Sequence, residues 1–476
     1  MDARALAGRI GTAVALAALV GVLAGWFTPR GPFSTTEALA TIAAGLVLGL
    51  LAGRAMGSRW AFLLAPVVFV AAFELVRRGE SGPTVDGIHL DSLYGAAAAV
   101  SGRGVHGLLV IVPILIGVAF ALRSLPRWGD VVVGLFLVVL VVGVARPAGT
   151  EPIRDADGAP LAGSVAELAR VEIGGSTQTV MLRGRSTDSP VLLFLPGGPG
   201  GSELGSMRLL AEGLEEDFVV ATWDVRGAGA SASSYRPVAE LTLDRSVEDV
   251  LEMTHYLRSR FGPEPVFLVG NSWGTVTGVL AARRAPELFA AYVGTGQMVD
   301  PDETDRMFWE DTLAWATERG DDGLAEQLRA AGPPPYADVR HYEAALSHEH
   351  EWNVYPMTPG YLERGEMPGN LMVAEYTLLE QLRTIGTTLD SFAALYPQAS
   401  GLDLRTDAAR LEVPVYLVQG AHEARGRDVV AREWFALLDA PVKEWVEFDG
   451  SGHKPLFEEP ERFQDVMRDV ATAAGR

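Results

Sequence analysis

The sequence predicts an α-helical membrane region followed by an α/β domain with a mostly parallel sheet, and three observations carry that prediction. Five charge-poor apolar runs crowd into the first 149 of 476 residues. Beyond residue 164, short apolar runs alternate with segments of helical periodicity. The charge is also partitioned. Residues 1–149 hold 7 acids and 11 arginines, net +4, whereas the remainder holds 53 acids and 28 bases, net −25.

The apolar runs cover residues 10–29, 38–53, 60–73, 104–122 and 131–145. A helix crossing the ~30 Å hydrocarbon layer takes roughly 20 residues. The first and fourth runs reach that length alone; the others borrow flanking residues. Trp26, Trp60 and Trp128 lie near run ends, as interfacial anchors do. About five spans are expected, making residues 1–149 a multi-pass contact with a lipid bilayer. A cleaved signal peptide would leave the later runs unexplained, and no small-x-small site follows Ala24. A soluble helical bundle fails on residues 131–145, which have no polar face. No charge sits centrally in a run, so the region reads as an anchor rather than a transporter. With the N-terminus inside, six arginines fall on the cytoplasmic side and five opposite. An odd number of spans then places the following domain outside the cytoplasm, on a protein of the cell membrane.

Residues 150–164 are rich in Pro, Gly and Asp and read as a linker. The domain is expected over residues 165–476. A hairpin is expected over 171–184, and buried strands over 190–195, 218–225, 265–270, 292–295, 413–418 and 444–448. Between them, residues 246–260 carry Val250, Leu251, Thr254 and Leu257 on one helical face. Such alternation predicts a parallel sheet covered on both sides. It breaks between residues 299 and 397, where helical, acid-rich sequence suggests an inserted cap; residues 299–360 hold 14 acids against 4 arginines.

The chemistry lies in loops after the expected strands. Gly270-Asn271-Ser272-Trp273-Gly274 has the Gly-x-Ser-x-Gly pattern of a serine presented on a sharp strand-to-helix turn. Residues 196–201, Pro-Gly-Gly-Pro-Gly-Gly, follow the 190–195 strand. Glycine lets backbone amides approach a developing oxyanion, and no Gly-Lys-Ser/Thr follows to make the loop a phosphate cradle. The amides of Gly198 and Trp273 would form the oxyanion hole. Glu423 ends the 413–418 strand region, and His453 follows the 444–448 strand in a Gly-rich loop. The order Ser272, Glu423, His453 suits such a sheet, with His453 as base and Glu423 orienting it. Asp300 and Asp302, after the preceding strand, are the alternative acids. His422 reads as structural.

Other chemistries find less support. The net charge of −25 argues against nucleic acid. Absent cysteine excludes thiolate nucleophiles and Cys-held zinc. Histidines 348 and 350 sit two residues apart, do not share a helix face, and lie in acidic sequence. No metal and no cofactor are expected.

The motifs GGPGG, Trp223-Asp224-Val225-Arg226-Gly227-Ala228-Gly229-Ala230-Ser231, GNSWG and DGSGH, in this order, resemble the proline iminopeptidase (S33) family of α/β-hydrolases. The resemblance spans about residues 165–476, apart from most of the cap. It implies an α/β-hydrolase fold, a Ser272–His453–Glu423 triad, oxyanion donors at Gly198 and Trp273, and a structural role for residues 224–231. Three positions depart from the family pattern. Pro196 stands where the family has His, Glu423 stands where Asp is usual, and the cap lacks the Trp/Glu pattern that holds a substrate's free amino group. The combined reading is a membrane-anchored serine hydrolase of small peptides, amides or esters, in the manner of an aminopeptidase. A carboxylesterase-like enzyme is the alternative, as is a membrane sensor or transporter whose hydrolase-like domain only binds a ligand. Epoxide hydrolases and dehalogenases share the sheet but carry Asp where Ser272 stands.

Overall fold

The computed structural model describes residues 3–235, 238–358, 361 and 366–476. Residues 359, 360 and 362–365 of the expected cap lie outside that set. The chain divides into two compact units. One is Met1–Ala148 with Tyr376–Asp390; the other is Gly149–Glu375 with Ser391–Arg476.

The first unit is helical. Its helices are α1 (Ala3–Phe27), α2 (Thr35–Met56), α3 (Ala61–Val76), a long helix over Leu93–Leu122 (α4) and α5 (Arg127–Ala145). Among the described residues, four helices are long and apolar enough to cross a membrane: Leu6–Phe27, Thr35–Met56, Leu93–Leu122 and Arg127–Ala145. The expected span over 60–73 folds as the 16-residue α3, about 24 Å at 1.5 Å per residue. That is shorter than a ~30 Å hydrocarbon core.

Glycine sets the approach of α2 to α4. A Cβ on Gly49 would stand 2.0 Å from the Ile114 carbonyl oxygen, and one on Gly45 2.7 Å from that of Val110. Small residues four apart let helix backbones touch where no hydrophobic effect drives them together. Ser34 starts α2 with a capping box, its hydroxyl accepting from the Glu37 amide while Glu37 reaches back. Outward residues such as Trp26, Trp60, Trp128, Val131, Leu135 and Val139 are exposed and apolar, as a lipid-facing surface requires.

Tyr376–Asp390 belongs to this unit although the linear pattern groups it with the cap. Leu379 is buried with Ala38, Ile42, Leu109 and Val144. Asp390 pairs with buried Arg30 at 2.9 Å and accepts from the Thr84 amide and hydroxyl at 3.0 and 2.6 Å. Arg383 donates to the Arg30 carbonyl and lies over the Phe33 ring at 4.4 Å.

The described residues of the second unit hold eight strands: β1 (Val165–Ile173), β2 (Ser176–Gly184), β3 (Val191–Leu195), β4 (Val219–Asp224), β5 (Val266–Asn271), β6 (Phe289–Thr295), β7 (Val415–Gly420) and β8 (Lys443–Phe448). They form one sheet in the order β1-β2-β4-β3-β5-β6-β7-β8. The β1–β2 and β2–β4 pairs are antiparallel and all others parallel. Strand β3 is wholly buried. Leu193 and Leu195 point into one core while Leu192 and Phe194 point into the other, the alternation a two-sided sheet demands.

The first core is closed by the helix Leu243–Phe261 through Val247, Val250, Met253 and Leu257, and by Arg425–Leu437 through Val430 and Trp434. Thr242 caps the former, accepting from the Arg245 amide at 3.0 Å. The second core is closed by Leu204–Leu210 and the C-terminal helix Pro460–Ala473. Between β6 and β7 lies the inserted helical segment, including Pro301–Arg319 and Asp322–Ala331. The loops after β3, β5, β7 and β8 therefore open at one edge of the sheet, where parallel α/β sheets place their sites.

Candidate active site

Ser272 sits between β5 and the helix Trp273–Arg284 with φ +51 and ψ −118. A non-glycine residue held at positive φ stores strain, and a serine on such a turn projects its hydroxyl clear of the backbone. The turn closes only with glycine beside it: a Cβ on Gly274 would lie 2.2 Å from the Leu195 carbonyl oxygen. The Ser272 amide donates to the Thr295 carbonyl on β6 at 2.9 Å, tying the turn to the sheet.

Three of the sequence-predicted residues meet here. The Ser272 hydroxyl lies 2.9 Å from His453 Nε2, and His453 Nδ1 lies 2.7 Å from Glu423 Oε2. These contacts suit the tautomer in which Nδ1–H donates to the carboxylate and Nε2 accepts the serine proton. Glu423 Oε1 accepts from the Ala424 amide at 2.8 Å and from Arg427 Nε at 2.7 Å. Burial by itself would raise the Glu423 carboxyl. The Arg427 guanidinium and the His453 ring outweigh burial and hold it down at about 2.

Sequence reasoning missed Arg427. Its signal was its place in the first turn of the helix Arg425–Leu437, which begins just after Glu423 and brings the guanidinium back to the carboxylate. Arg427 also pairs with Glu349 and stacks over Phe308 at 4.6 Å.

The alternative acids are engaged elsewhere. Asp300 caps Pro301–Arg319, accepting from the Glu303 amide, and pairs with Arg405. Asp302 accepts from the Ser400 hydroxyl and the Gly401 amide. His422 stacks on Tyr355 with centroids 4.9 Å apart. His348 pairs with Glu351 at 2.9 Å, and among the described residues no group of three or more His, Asp or Glu could hold a metal ion.

Gly198, at φ +127, lies in the loop after β3, and Trp273 is the first residue of its helix. Among the described residues, neither amide donates a hydrogen bond. The 224–231 stretch braces these loops. Asp224 accepts from the Ser202 hydroxyl at 2.5 Å and the Ala230 amide at 2.8 Å, and Arg226 pairs with buried Asp249 at 2.8 Å. The Trp273 ring packs on Tyr396, centroids 6.0 Å apart, and Tyr396 donates to Asp305 at 2.9 Å.

The family profile of the α/β-hydrolase fold matches residues 190–460. The probable aminopeptidase YbaC of Bacillus subtilis (strain 168) is 26% identical over 314 residues, 64% of this chain and 96% of that protein. The proline iminopeptidase of Lactobacillus delbrueckii subsp. lactis is 24% identical over 297 residues, 60% and 91% respectively. The crystal structure of VinJ aligns with a TM-score of 0.47 at 19% identity, covering 64% of this chain and 98% of its own. The family match takes in more than half of the chain, which therefore belongs to the α/β-hydrolase family as a hydrolase.

Proposed function

We propose that the protein is a membrane-anchored serine hydrolase of small peptide, amide or ester substrates. The observation that carries this reading is the unbroken line from Ser272 Oγ through His453 to Glu423, at 2.9 and 2.7 Å. Ser272 Oγ attacks the substrate carbonyl carbon while its proton passes to His453 Nε2. Glu423, kept ionised by Arg427, stabilises the resulting imidazolium. The oxyanion of the tetrahedral intermediate accepts from the Gly198 and Trp273 amides. His453 returns the proton to the leaving amine or alcohol, and water releases the acyl group by the same steps in reverse order of partners.

Peptide substrates are favoured over simple esters by the two relatives named as aminopeptidases. The acidic cap agrees, since it would attract a cationic amino terminus. A ligand-binding sensor would have no need of a serine, a histidine and an ionised carboxylate in register. Labelling of the detergent-solubilised protein by a fluorophosphonate, lost in Ser272→Ala, tests the assignment. Labelling that persists in Ser272→Ala removes Ser272 from it.

The four long apolar helices support membrane anchoring. With the N-terminus inside, four spans leave the catalytic unit in the cytoplasm, and the extracytoplasmic placement then requires α3 to cross as well. Adding protease to intact cells decides between them. Cleavage of the catalytic unit before lysis means five crossings, and cleavage only after lysis means four.

A further inference from the structure

Glu203 follows the glycine loop and precedes the helix Leu204–Leu210. Its side chain is buried, and among the described residues no hydrogen bond joins it to Ser272 or His453. Every group around its carboxylate is a donor. Glu203 Oε2 accepts from the Gly197 amide at 2.9 Å. Asn271 Nδ2 donates to both oxygens, at 3.0 and 3.1 Å. Lys454 Nζ donates to Oε1 at 3.3 Å. The Asn271 amide is itself oriented from behind, its Oδ1 accepting from the Thr295 hydroxyl at 3.1 Å.

Each of those three donors is the chain neighbour of a group in the proposed chemistry. Gly197 precedes the oxyanion donor Gly198, Asn271 precedes the nucleophile Ser272, and Lys454 follows the base His453. Gly197 also presses on the nucleophile, since a Cβ there would stand 3.2 Å from Ser272 Cβ. One carboxylate thus pins the loop after β3, the turn after β5 and the loop after β8.

We propose that Glu203 is a positioning residue that sets the oxyanion amide of Gly198 against Ser272 and His453; the proposal rests on the reading of Ser272 as nucleophile. It works through acceptor character. A carboxylate accepts from all three neighbours, whereas an amide of the same shape turns one donor against another. Glu203 is given no proton-transfer role, because its described hydrogen bonds go to Gly197, Asn271 and Lys454 rather than to Ser272 or His453. It does not anchor a cationic substrate either, because Lys454 already occupies that edge.

Oxyanion stabilisation is sensitive to placement. Loss of one such donor costs about 10²–10³ in rate, and misplacement by about 1 Å costs on the order of 10². Glu203→Gln in the full-length, detergent-solubilised protein should therefore lower kcat on an activated ester about 10- to 100-fold while KM changes less than about threefold. Affinity for a boronic acid, whose serine adduct is tetrahedral and anionic, should fall by a similar factor. Glu203→Asp, which keeps the acceptors but withdraws them by one methylene, should fall between.

Rates are counted per fluorophosphonate-titrated site, so that a fraction of unfolded protein does not pass for slow chemistry. If Glu203→Gln does not fold, Glu203→Asp carries the same test. Per-site kcat and boronate affinity within twofold of wild type overturn the proposal, as does a loss confined to the number of titratable sites. Failure of the wild-type protein to label at Ser272 overturns the reading beneath it instead.

Discussion

The strand edge of the sheet and the inserted helices each bury a carboxylate, and they hold it in opposite states. Glu423, after β7, lies against the Arg427 guanidinium at 2.7 Å and is held down at about 2. Asp305, on the helix Pro301–Arg319, is 3% exposed and meets the Tyr396 hydroxyl instead. Burial is its largest influence and Asp302 adds to it, so its carboxyl is pushed up to about 7. Desolvation acts on both. What separates them is a resident cation in contact. A buried carboxyl without one drifts to the neutral form, so the arginine is what keeps Glu423 ionised, as the proposed role beside His453 requires.

The largest expected effect lies at the sheet edge. Ser272→Ala should reduce turnover by several orders of magnitude, because the oxyanion hole alone supplies only about 10³–10⁴ over water. Its folding should be unchanged by circular dichroism, and more than a tenth of wild-type activity remaining would remove the nucleophile from the scheme.

Arg427→Met puts Glu423 into the condition of Asp305. With the guanidinium gone, burial dominates, and the carboxyl rises. The rate should drop about 10²-fold or more at low pH, by analogy with the loss seen when a triad acid loses its charge, and recover as rising pH ionises Glu423. A kcat/KM profile that keeps the wild-type shape would show that Arg427 does not govern Glu423.

A third carboxylate, in the helical unit, shows that one cation in contact is not by itself sufficient. Asp390 has a cation, Arg30, at 2.9 Å, yet burial is the larger influence and its carboxyl is raised. Asp390→Ala takes from buried Arg30 the carboxylate at 2.9 Å, while the pair with Glu80 stays. Breaking one side of a buried pair costs about 3–5 kcal/mol, so thermal unfolding in detergent should move down by several degrees. An unchanged transition would mean that the pair adds nothing to the helical unit.

The smallest effect is the slope contributed by Asp305. Its folded carboxyl is raised from 3.8 to about 7, so the folded state binds the proton more tightly than the unfolded chain. This contribution is fully present below pH 3.8 and is lost as pH rises to about 7, by up to about 1.4 kcal/mol per pH unit. Glu423 has the opposite sign, since its lowered carboxyl stabilises above its ordinary 4.5 and loses that contribution as pH falls towards about 2. Denaturant titrations of Asp305→Asn should show less decline between pH 4 and 7 than wild type. Parallel curves for the two proteins would contradict a raised carboxyl at Asp305.

Much of this was legible in the linear chain. Ser272, Glu423 and His453 could be singled out because each lies just past a run of strand residues, with small residues beside it that only tight turns need. The two-sided sheet followed from apolar runs too short for helices and too continuous for a half-exposed strand. Arg427 was not legible as a partner of Glu423, because an i, i+4 pair is informative only once a helix is known to begin between them. Glu203 was hidden for a different reason. Its three donors come from residues 197, 271 and 454, and nothing local in the chain relates them.

By itself, then, the sequence determined what depends on period, composition and order: apolar helices first, an α/β sheet after them, and a serine, a carboxylate and a histidine in loops that follow three of its strands. Tertiary structure decided what depends on distance. It turned residues 60–73 into a helix of 16 residues, drew Tyr376–Asp390 into the helical unit, and set one arginine beside Glu423 but not beside Asp305. Period and order are properties of neighbours along the chain. The ionisation of a buried carboxyl depends on which charge lies within a few ångströms in space, and only the folded arrangement of distant segments settles that.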